Sequence, residues 1–99
     1  MTRLRLVPVG IAEARAWIER HHSHHHAPVG GLFAVGVAAG ADLACVAVVS
    51  RPVARAYDAA GGIAEITRVA SDGTPHAASM CVAAATRMAL AGGYRRLVS

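Results

Sequence analysis

The 99-residue chain predicts a single α/β domain in which helices cover a mixed sheet. Three observations predict it. Two stretches with helical apolar spacing enclose three consecutive strand-like runs, and a further strand-like segment stands at each end, giving the order β-α-β-β-β-α-β. The 55% hydrophobic content belongs to a folded globule rather than a disordered chain. No internal repeat or low-complexity tract interrupts the order. Much of the apolar content is Ala and only 4% of residues are aromatic. The core must therefore come from the Val, Ile and Leu runs, with Trp17 and Phe33.

The elements follow in chain order. "RLRLVPV" (Arg3 to Val9) alternates polar and apolar side chains and reads as a strand, with Pro8 near its end. "GIAEARAWIERHH" places Ile11, Ala14, Trp17, Ile18 and His21 on one helical stripe. "APVGG" (Ala27 to Gly31) is a loop. "LFAVGVAAG" and "DLACVAVVS", joined at Gly40-Ala41-Asp42, predict a hairpin. The second run is continuously apolar, which predicts a central strand covered on both faces. "RPVARAYDAAGG" (Arg51 to Gly62) is the longest loop candidate. "IAEITRVAS" is the next strand, with Ile63, Glu65, Thr67 and Val69 on one face and Ile66 and Arg68 on the other. The second helix then has Thr74 as its N-cap, Pro75 at its first position and Gly92-Gly93 as its stop. "YRRLVS" begins a last strand.

The net charge is +4, with Arg supplying all ten basic residues. With the Ala, Gly and Val richness, that bias reads as codon usage in a GC-rich genome, so it is a weak pointer to nucleic acid. Cys45 and Cys81 both lie in apolar runs and read as small buried hydrophobes. The N-terminal segment lacks the uninterrupted apolar core of a signal peptide, and no run reaches the ~18 apolar residues of a membrane span. A reduced, cytoplasmic protein is expected.

"RHHSHHHAPVGG" carries five imidazoles between His21 and His26. The flanking patterns and the interrupting Ser23 exclude a terminal tag. His21 and His25, and His22 and His26, stand at helical spacing, whereas His24 and His26 alternate. Imidazole is the commonest transition-metal ligand, so three of these could hold Zn, Fe or Ni and serve a hydrolase or nuclease. The sequence offers no diagnostic nearby carboxylate, and the preferred reading assigns no metal. It places the cluster in a substrate cleft at the end of the first helix, where the macrodipole favours a cation.

The element order resembles the first two-thirds of the GNAT (N-acetyltransferase) fold. More narrowly, the chain resembles a bacterial and phage family related to that superfamily, and less closely the Mom-type phage DNA-modification proteins. The pattern is carried by His22, His24, His25 and His26; by Arg51-Pro52; by Glu65, Thr67 and Arg68; by Asp72-Gly73; and by Ala78, Ser79 and "GYRRL" (Gly93 to Leu97). The resemblance implies transfer of an acyl or related group from acetyl-CoA or another acyl-CoA to an amine, a nucleobase amine in the Mom-type case. It implies Glu65 as general base, with His24 and His26 beside it in the catalytic set. His22, His25 and Arg51 would contact the acceptor, and Arg68, Gly73, Thr74, His76 and Ser79 the cofactor.

Two departures stand out. Acetyl-CoA enzymes usually carry a Q/R-x-x-G-x-G/A loop, whereas "RVASDGTPHAAS" has one Gly, a Pro and an acidic Asp72. The related family also continues past the point where this chain stops, inside the expected fifth strand. The last third of the fold is then missing, and self-association through the C-terminal strand is expected. A non-catalytic remnant or binding module is the rival reading.

Overall fold

The computed structural model describes residues 3–21, 31–52, 56, 59 and 61–98. Five strands, β1 (Leu4–Val9), β2 (Phe33–Ala39), β3 (Asp42–Ser50), β4 (Ile63–Ser71) and β5 (Arg96–Val98), form one sheet in the order β1-β2-β3-β4-β5. The first four are antiparallel neighbours, while β5 runs parallel to β4. The sheet is therefore mixed, as the element order predicts. Two long helices, α1 (Ile11–His21) and α2 (Ala77–Ala91), cover opposite faces.

β3 is central, and Ala44 to Val49 are all buried, which fits a continuously apolar strand roofed on both sides. Cys45, Ala47 and Val49 face α2 with Val35, Val37, Ile66 and Cys81. Val46 and Val48 face α1 with Ala14, Trp17, Ile18 and Ala70. Among the described residues, eleven of the twenty-one buried apolar side chains are Ala. Such short side chains bring helix and sheet backbones close, and they leave each larger residue a disproportionate share of the burial energy.

Gly36 in β2 is required by the side chains of the flanking strands: a Cβ there would clash with a Val9 methyl of β1 and lie 3.0 Å from one of Leu43 on β3. The β2–β3 turn places Gly40 at φ 66, in the left-handed region, and the Arg5 guanidinium donates to the Gly40 carbonyl at 2.6 Å.

β4 departs from the expected alternation. Val48 pairs with Arg68 and Val49 with Ile66, so Thr67 is the extra residue of a bulge. Its hydroxyl donates to the Val48 carbonyl at 3.3 Å and lies 3.2 Å from the Ser50 hydroxyl. The inserted residue resets the faces. Ile66 and Val69 both pack with the α2-side core, whereas Ala70 packs with α1. Val69 therefore does not share a face with Ile63 and Glu65. Glu65, opposite Ser50, and Arg68, opposite Val48, share the α1 side.

The second helix also starts later than its sequence suggests. Thr74 is not its N-cap and Pro75 is not its first residue. Asp72 accepts both the Thr74 N–H (2.9 Å) and the Thr74 hydroxyl (2.6 Å), which commits this segment to a turn. α2 then begins at Ala77, behind His76 in the left-handed region at φ 69. Its stop at Gly92-Gly93 stands as expected, with the Gly92 N–H bonded to Met88 O. Between Pro52 and Gly61, the described Ala56 and Ala59 are helical where the sequence reads as loop.

Candidate functional site

β4 joins two clusters of polar residues at its opposite ends. At its start, Glu65 is half-buried and registers with Ser50 on β3 and Val98 on β5. Arg51 is exposed directly after β3, beside a shallow hollow lined by Gly31, Leu32 and Ser50. Arg68 is half-buried further along the strand. At the far end lie Gly73, Thr74, His76 and Ser79. From Glu65 to Asp72 an extended strand covers about 23 Å. The expected base and the expected cofactor loop are therefore on one strand but well apart.

β5 pairs with β4 from Ile63 to Glu65, the latter opposite Val98, the last described residue.

β4 leads to the start of α2. The helix has no side-chain cap: Thr74 is bonded to Asp72, and the Ser79 hydroxyl donates to the His76 carbonyl at 3.1 Å. Neither His76 nor Ser79 supplies a side-chain cap. The Ala77 N–H bonds Thr74 O and the Met80 N–H bonds His76 O. The first-turn N–H groups of Ala78 and Ser79 precede any intrahelical acceptor, and the helix dipole adds partial positive charge there. Gly73, at φ 95 and with nothing within 4 Å of a would-be Cβ, leaves the approach open.

Asp72 stays ionised at this corner, its carboxylate engaged with Thr74. The Thr74 hydroxyl, then its N–H, and the nearby positive field of His21 hold the Asp72 carboxyl below its ordinary 3.8. A folded-state value below the unfolded one contributes stability above about pH 3.8, lost as pH falls through the lowered value. Asp72→Ala is expected to lower the melting temperature at neutral pH and to have no effect at a pH below that lowered value. A melting-temperature gap that persists at acid pH would disprove this origin.

The end of α1 meets the same corner. His21 stacks on Trp17 with ring centroids 3.9 Å apart, and its Nδ1 donates to the Trp17 carbonyl at 2.9 Å in the tautomer that satisfies both groups. His21 lines a cleft together with Asp42 and Asp72. The structure thus brings His21 to Asp72 and not to Glu65, a proximity that no local sequence signal announces. His22, His24, His25 and His26 lie outside the described residues. Among the described residues there is no group of three metal-ligating side chains. No described helix is long and apolar enough to cross a membrane. No protein-family model, curated protein or solved structure matches the chain.

Proposed function

We propose that the chain is an acyltransferase-type domain of GNAT-like design that moves an acyl group from an acyl-CoA to an amine, with a nucleobase amine as the acceptor to test first. The observation that carries this reading is half-buried Glu65 near the start of β4, with the uncapped N-terminus of α2 beyond the strand's far end. A ligand for this track needs an anionic head, a long arm with amide groups and a reactive tip. Acyl-CoA has all three, whereas a compact acyl phosphate would not reach across about 23 Å of strand.

When bound, acyl-CoA supplies an activated thioester carbonyl. The chain's own residues do the rest. The Ala78 and Ser79 N–H groups hold the diphosphate. Glu65 would take the proton from the acceptor nitrogen as that nitrogen attacks the thioester carbonyl, and would return it to the sulfur as the C–S bond breaks and CoA leaves as the thiol. Arg68 and Arg51 favour negative charge along the way.

Calorimetry with acetyl-CoA tests the assignment. Wild-type protein is expected to bind it at one site. Ser79→Asp places a carboxylate in the first turn of α2, where it favours the helix by about 0.3–1 kcal/mol but repels a bound anion. Affinity is expected to fall at least tenfold with no loss of thermal stability. Failure of millimolar acetyl-CoA to bind would remove the reading, and equal affinity in Ser79→Asp would remove the helix terminus from it.

A further inference from the structure

A groove of about 450 Å3 runs between the edge strand β1 and α2. Leu6 and Pro8 form one wall, Ala84 and Met88 the other, and Val35 the floor. It exists because α2 turns small residues toward β1. Leu6 and Met88 remain 43% and 47% exposed. One charged side chain borders it: Arg87, exposed and with no hydrogen bond or ion pair among the described residues.

We infer that this groove binds a free medium-chain carboxylic acid, with its alkyl tail between Leu6 and Met88 and its carboxylate on the Arg87 guanidinium. The volume falls within the ordinary range of small-molecule sites, about 300–1,000 Å3. An alkyl chain asks for no hydrogen bonds, and apolar side chains make up the rest of the lining. A peptide strand would need a row of backbone partners, which Pro8 interrupts on β1. A second copy docked two-fold on the same groove would bring two Arg87 side chains together with no acidic residue in the lining to separate them. A carboxylate supplies the complementary charge and accepts the paired N–H groups of the guanidinium. The lining contains no residue of β4 or β5, so the inference does not depend on the proposed transferase role.

Titration with decanoate and with decan-1-ol, followed by calorimetry, separates head-group from tail recognition. Decanoate is expected to bind wild-type protein at one site, and Arg87→Gln to weaken it about tenfold, as loss of one charge-assisted hydrogen bond does. The affinity for decan-1-ol is expected to stay within twofold in the same variant. Ala91→Trp, at the exposed end of α2 where it fills the groove, is expected to abolish binding of both. Circular dichroism melts of both variants establish that they are folded. Absence of decanoate binding, equal decanoate affinity in wild type and Arg87→Gln, or a dimer in ultracentrifugation that Ala91→Trp dissociates would each overturn the assignment.

Discussion

Trp17→Ala is expected to remove about 3–5 kcal/mol of stability, the range for deleting a large buried aromatic. The domain is held by roughly 0.05–0.15 kcal/mol per residue, so this is a large part of the whole. The loss is severe because α1 has so little else to hold it. Its buried face is Ala14, Trp17 and Ile18, and Ala14 contributes little area. Trp17 also supplies the ring on which His21 stacks and the carbonyl that fixes that imidazole. At about 4–8 °C per kcal/mol for a domain of this size, the midpoint should fall by at least ~12 °C. Urea titration followed by circular dichroism measures it. A cost below about 1 kcal/mol would mean that α1 is not anchored through this side chain.

Glu65→Gln is expected to lower the acyl-transfer rate by about 10²–10⁴, the usual contribution of a positioned general base. The amide keeps the shape of the carboxylate but cannot accept the proton of an attacking amine. Binding of acyl-CoA should be unchanged, since the diphosphate end lies about 23 Å along the strand. The variant should therefore lose kcat and keep its calorimetric affinity. If the rate stays within threefold of wild type, Glu65 is not the base.

The strands were legible because burial writes itself into strand sequences. The runs "DLACVAVVS" and "IAEITRVAS" coincide with β3 and β4 at both ends. What was not legible is what depends on competition between local hydrogen bonds. "DGTPHAAS" contains the ordinary signals of a cap and a first-turn Pro, but the Asp72 carboxylate captures Thr74 first and delays α2 to Ala77. Thr67 gives no sign that it is an inserted residue, because a bulge changes pairing rather than composition. Of the site, Glu65 and the small-residue turn stand out in the sequence. Their separation, and the meeting of His21 with Asp72, arise only when the sheet is assembled.

The two sulfur atoms of the core make the molecule its own clock. Cys45 in β3 and Cys81 in α2 are both fully buried in one cluster, and the Cys81 thiol donates to the Val35 carbonyl at 3.5 Å. The hydrogen bond to Cys81 and burial push the Cys45 thiol up, away from the reactive thiolate. An alkylating reagent in solution therefore reaches either sulfur only when α2 lifts from the sheet. With reagent in excess, the rate of modification equals the rate of that opening; with reagent scarce, it measures the equilibrium between closed and open forms. Because the pair bridges the central strand and α2, the open form counted in this way is loss of the packing of α2 on the sheet, read under native conditions and without denaturant.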